Sequence, residues 1–138
     1  MPTPSLLLIE DSTDDIALVK RALVRSKLKV DLQIALNGHD ALAYLASESV
    51  ELPKVIFLDL NMPEWNGFDL LLKLRNQART RTVPVVILTT SREPSDVSRS
   101  YILGANSFVT KPVDFGEFTD LFTRMTGYWL DINQSAHQ

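Results

Sequence analysis

The sequence predicts an α/β fold: a mostly parallel five-stranded sheet with helices on both faces. Two observations carry this. Short apolar runs of strand length alternate along the chain with stretches whose apolar residues recur at helical steps of three and four. Strands arranged this way pair in parallel, because each helix between them supplies the crossover that a parallel pair needs. The 138 residues read as one domain, with residues 5–132 as its core and 133–138 as a short tail.

Leu6–Ile9 is a continuous apolar run, the mark of a strand buried on both faces. Ser12 then stands as a helix cap with Asp15 in the capping-box position, and Ile16, Val19 and Leu23 form the apolar stripe of the first helix. Val30–Ala35 alternates and reads as an edge strand. Ala41, Leu42 and Leu45 mark the second helix, and Val55–Leu58 is the third strand. Phe68, Leu71, Leu72 and Leu74 mark the third helix, which begins just after Gly67. Val85–Leu88 is the fourth strand. Pro94 suits a first helical turn and Gly104 a C-terminal stop, which bound the fourth helix. Ser107–Val109 is a weaker fifth strand. Phe115, Phe118, Phe122, Met125 and Trp129 then define a long fifth amphipathic helix.

Composition excludes several function classes. Apolar residues make up 45% of the chain and charged residues 22%, an ordinary globular balance. A net charge of −3 argues against non-specific nucleic-acid binding, which needs a basic surface. Cysteine is absent, so there are no disulfides, thiolate ligands or thiol nucleophiles. His39 and His137 lie far apart in sequence, which places both at the surface rather than in an imidazole metal site. No apolar run approaches the roughly 20 residues that span a bilayer, and Met1–Ser5 lacks the features of a signal peptide. The expectation is a cytoplasmic protein with neither a membrane nor a nucleic-acid partner.

In open α/β sheets, sites form at the carboxyl ends of the strands. The first strand ends in Glu10-Asp11, the third in Asp59 and the fourth in Thr89-Thr90-Ser91, while Lys111-Pro112 closely follows the fifth. Three converging carboxylates repel one another unless a cation intervenes. Mg²⁺ suits the set better than Ca²⁺, since it is held by one or two carboxylates plus phosphate oxygens and keeps several waters. Asp59 is then the natural nucleophile, forming an aspartyl phosphate. Thr89 can donate to a phosphoryl oxygen and Lys111 can neutralise another, so that catalysis rests on positioning and electrostatics.

These residues resemble the receiver domain of bacterial two-component response regulators. The segments L-L-L-I-E-D-S, F-L-D-L-N-M-P-E-W-N-G-F-D, V-P-V-V-I-L-T-T-S and G-A-N-S-F-V-T-K-P-V carry the resemblance, which runs from Leu6 to about Ile132. It implies a (βα)5 flavodoxin-like fold and Asp59 as the phosphoacceptor. It implies Mg²⁺ held by Asp11, Asp59 and the main-chain carbonyl of Asn61, with Glu10 acting through water. It also implies Thr89 and Phe108 as the switch pair, and a cis Lys111–Pro112 peptide. Phe108 stands where many relatives carry Tyr, and Thr90 where many carry Ala or Gly. The run T-T-S, the stretch S-Y-I-L-G-A-N-S-F-V-T-K-P-V and Tyr128-Trp129 look further like single-domain regulators that partner with bacterial phytochrome histidine kinases.

The residues after Ile132 are too few for an output domain, so signalling through the domain's own surface is expected. Tyr128, Trp129 and Ile132 are expected at a homodimer interface on the face formed by the fourth helix, fifth strand and fifth helix, because aromatic and apolar groups exposed at a chain end usually mark an interface, and Tyr101 is expected at the same interface. Trp65, in the loop after Asp59, is expected to report on the site. Two other readings compete. One is an aspartyl-phosphate hydrolase of the haloacid-dehalogenase type, which would need an acid where Asn61 stands. The other is an interaction module that works without phosphorylation. The expected protein is not a turnover enzyme.

Overall fold

The computed structural model describes residues 3–136; His137 lies outside them, and His39 is exposed. The chain runs β1 (Ser5–Ile9), α1 (Thr13–Ser26), β2 (Asp31–Ala35), α2 (Gly38–Ala46), β3 (Val55–Leu58), α3 (Gly67–Arg75), β4 (Val85–Thr89), α4 (Pro94–Ile102), β5 (Ser107–Thr110) and α5 (Phe115–Gly127). The five strands form one parallel sheet in the order β2-β1-β3-β4-β5. This is one of the two common doubly wound orders, and β2 lies at an edge as its alternation predicts.

The strand period of two divides each apolar run between two cores. Leu7, Ile9, Ile56, Leu58, Val85 and Ile87 face α2 and α3. Leu6, Leu8, Val55, Phe57, Val86 and Leu88 face α1 and α5, where Phe57 meets Phe122 edge-on at 5.6 Å between ring centroids. β1, β3 and β4 are therefore buried on both sides, which is why their sequences show no polar alternation. On α3 the buried positions are Phe68, Leu70, Leu71 and Leu74. Leu72, expected in that stripe, is instead exposed, since it sits about 200° around the helix from Leu70.

The fifth helix also differs from its expected form. It stops at Gly127, a weak helix former, and the chain continues through a π-helical turn, Tyr128–Ile132. The Asn133 N–H donates to the Tyr128 carbonyl at 2.7 Å, and Lys54 Nζ donates to the Leu130 carbonyl at 3.2 Å. Within this turn Leu130 is buried and Trp129 is half-buried against the α1/α5 core. Trp129 is thus a packing residue rather than the exposed anchor expected of it. Tyr128 and Ile132 do stand out, at 45% and 70% exposure. Among the described residues no helix is long and apolar enough to cross a membrane.

Candidate functional site

The carboxyl ends of β1, β3 and β4 and the start of the β5–α5 loop deliver Glu10, Asp59, Thr89 and Lys111 to one edge of the sheet, and all four are buried. Glu10 follows β1, whose last residue accepts the Asp59 N–H through the Ile9 carbonyl at 3.2 Å, so the two acids are tied by sheet geometry. Lys111 is fixed by its own N–H, which donates to the Thr89 carbonyl at 2.7 Å. Its ammonium lies 2.7 Å from Glu10 Oε1, 3.0 Å from Asp15 Oδ2 and 3.5 Å from Asp59 Oδ2.

The third carboxylate in this group is Asp15, not Asp11. Glu10, Asp15 and Asp59 each offer an oxygen within 4.8 Å of the others. Asp11 is exposed and lines a neighbouring open cleft of 340 Å³ with Leu36, Asn37 and Trp65. The strand-end rule selects Glu10-Asp11 and passes over Asp15, which arrives from the first turn of α1. Its position in the capping box was the only signal in the sequence, and that signal pointed to a structural role.

Three carboxylates against one ammonium leave negative charge in excess. Burial, added to by the Asp59 charge, pushes Glu10 up to about 7 despite the lowering pull of Lys111. Burial alone would lower Lys111, but Glu10, Asp59 and Asp15 together outweigh it and raise its pKa, so the lysine is an ammonium. The donors are carboxylate oxygens, hard ligands that fit Mg²⁺.

The loop after β3 is braced on both sides. The Asn61 N–H donates to Asp59 Oδ1 at 3.1 Å, and its side-chain amide donates to Thr89 Oγ1 at 3.1 Å and to Thr90 Oγ1 at 3.4 Å. The Ser91 N–H also reaches Thr89 Oγ1, at 3.4 Å. Both contacts to Thr89 use it as an acceptor, so its O–H remains to be donated. Asn61–Met62 then pairs with Trp65–Asn66 in a two-residue antiparallel ladder. Gly67 follows because a Cβ there would lie 2.8 Å from Leu60 Cα and 3.1 Å from the Asp59 carbonyl oxygen. The ladder seats Trp65 on Gly38, beside the Asp11 cleft.

On β5, Phe108 is half-buried against the α2/α3 core, and its N–H donates to the Tyr101 hydroxyl at 3.1 Å. Tyr101 is therefore partly exposed yet engaged, holding an edge-strand amide from α4. Every described peptide bond is trans, Lys111–Pro112 included. This overturns the cis bond that the resemblance implied, and it is the isomer that an X–Pro bond intrinsically favours by about 0.5–1 kcal/mol.

Residues 6–123 match the family description of the response regulator receiver domain. The chain is 32% identical over 133 residues to the "Probable methanogenesis regulatory protein FilR2" of Methanothrix harundinacea, covering 94% of this chain and 86% of that one. It is 33% identical over 134 residues to response regulator Rcp1 of Synechocystis sp., covering 94% and 91%. The Mn²⁺-bound structure of Rcp1 superposes with a TM-score of 0.85 at 32% identity, over 96% of this chain and 98% of that one. The phosphorylated cyanobacterial phytochrome response regulator RcpA superposes with a TM-score of 0.89 at 28% identity, over 98% and 99%.

Proposed function

The chain belongs to the response regulator receiver family, and from that premise we propose that Asp59 accepts a phosphoryl group from a phytochrome-type sensor histidine kinase in the cytoplasm. Members of this family are signalling regulators rather than turnover enzymes, which sets aside the hydrolase reading. The observation that carries the assignment of Asp59 is its buried carboxylate, 3.5 Å from the Lys111 ammonium and beside the Thr89 hydroxyl across Asn61.

Asp59 and the Asn61 main-chain carbonyl would hold Mg²⁺ directly, with Glu10 acting through water; Asp11, which lines the adjacent cleft, would become a direct ligand only by turning its carboxylate out of that cleft toward the ion. Bound there, the cation would offset the carboxylates and the charge on the transferring phosphoryl group. An Asp59 carboxylate oxygen attacks phosphorus, the bond to the donor imidazole breaks, and the imidazole keeps the electron pair. Lys111 compensates charge on one phosphoryl oxygen and the Thr89 O–H donates to another. Phe108 turns inward as Thr89 moves, and the change reaches Tyr101 through the β5 amide it holds.

The domain would pair as a homodimer on the α4–β5–α5 face. Tyr128, Ile132 and Ile102, the last 82% exposed, supply apolar surface for it. Phosphotransfer from the histidine kinases of the same genome tests the donor: preferential labelling by a phytochrome-type kinase supports it, and preference for another sensor rejects it. Sedimentation tests the dimer. Beryllofluoride with Mg²⁺, which mimics the aspartyl phosphate, should tighten self-association and change Trp65 fluorescence in a Trp129→Phe background. Ile132→Glu should give a folded monomer. A wild type that stays monomeric at high micromolar concentration, with and without beryllofluoride, rejects the dimer.

A further inference from the structure

We propose that Asp15 is a positioning residue for Lys111, giving the ammonium a carboxylate to stay paired with when Glu10 and Asp59 turn to a cation. The inference rests on the reading of the site above. In the structure Lys111 is shared three ways, with its shortest contact to Glu10 at 2.7 Å. Glu10 and Asp59 cannot serve both Lys111 and a divalent cation at full strength. A lysine with no other partner would compete with the cation for them.

Asp15 removes that competition because its carboxylate is free to do so. In a capping box the residue at this position turns back to the N–H of the cap. Here the Ser12 N–H is already taken by Glu10 Oε2 at 3.3 Å. Ser12 Oγ still accepts the Asp15 N–H at 3.3 Å, so the helix start is capped without the Asp15 side chain. That side chain reaches Lys111 at 3.0 Å instead. Its 36% exposure keeps it the best solvated of the three acids, so holding the ammonium on Asp15 costs less desolvation than holding it on Glu10. Asp15 touches no reacting group and acts through the lysine.

Calorimetric titration with MgCl₂ of wild type, Asp15→Asn, Lys111→Ala and the double variant tests this. Asp15→Asn should weaken Mg²⁺ binding by about three- to tenfold, the size of coupling between neighbouring charges. In the Lys111→Ala background the same change should weaken binding by less than about twofold. Equal affinity in wild type and Asp15→Asn overturns the proposal. Equal weakening in both backgrounds also overturns it, because Asp15 would then act on the cation directly. A wild type that takes up no Mg²⁺ removes the underlying reading of the site as well, whereas the first two outcomes leave that reading standing.

Discussion

Asp59→Asn, incubated with acetyl phosphate and Mg²⁺, should gain no phosphoryl mass where the wild type gains one. Asparagine keeps the shape of the side chain and can still meet Asn61 and Lys111. It loses the anionic oxygen that attacks phosphorus, and no neighbouring group can replace that step. Glu10 is held by Lys111 and the Ser12 N–H, and would face the cation once Mg²⁺ binds. Asp15 stands on another element, and Asp11 faces the adjacent cleft. Labelling of the variant at a rate comparable to wild type would move the nucleophile to one of these acids. Absence of labelling in the wild type itself would favour an interaction module that works without phosphorylation. Lys111→Ala separates the two roles at the site: it should slow the reaction while Mg²⁺ still binds, because lysine is a phosphate partner and not a metal ligand.

The second large effect lies away from the chemistry. Arg75→Ala should destabilise the fold by about 2–4 kcal/mol, read as a lower urea midpoint with an unchanged slope. The guanidinium at the end of α3 donates to the carbonyls of Gly104 and Val83 at 2.8 Å each, to those of Thr80 and Arg81 at 3.3 Å each, and to Asn106 Oδ1 at 2.8 Å. The same Asn106 oxygen accepts the Val85 N–H at 2.8 Å, at the start of β4. One side chain therefore joins α3, the segment before β4 and the α4–β5 turn. Burial lowers its pKa; five donors in a planar fork offset that cost. Arg75→Lys should recover less than half of the loss, since a single ammonium cannot reach all these acceptors. The turn is shaped around the arginine: Gly104 has φ +107°, and a Cβ there would lie 2.8 Å from Arg75 Cγ. Full stability in Arg75→Ala would mean that water satisfies these carbonyls equally well.

The periodicities in the sequence were enough to determine the element order, the strands buried on both faces and the edge position of β2. A strand covered on both sides has to be apolar at every position, and Leu6–Ile9 and Val55–Leu58 are. The convergence of Glu10, Asp59, Thr89 and Lys111 was legible for a related reason, because polar residues that end buried strands meet at one edge of a parallel sheet. The rest depended on distances between parts of the chain that no local pattern relates. Asp15 and Lys111 are 96 residues apart, so whether that carboxylate caps its helix or pairs with the lysine depends on how closely α1 approaches the end of β5. Arg75 reads locally as a solvated cation and becomes a staple only because two carbonyl-bearing segments, the stretch before β4 and the α4–β5 turn, close around it. At the C-terminal end, the 3-4 spacing carries the helix through Trp129. The contact of Lys54 with Leu130 and the packing of Trp129 on the core accompany a π-helical turn there instead. Local spacing records which side of an element is buried; which partner a charged group takes, and where a helix yields, is decided by the elements packed against it.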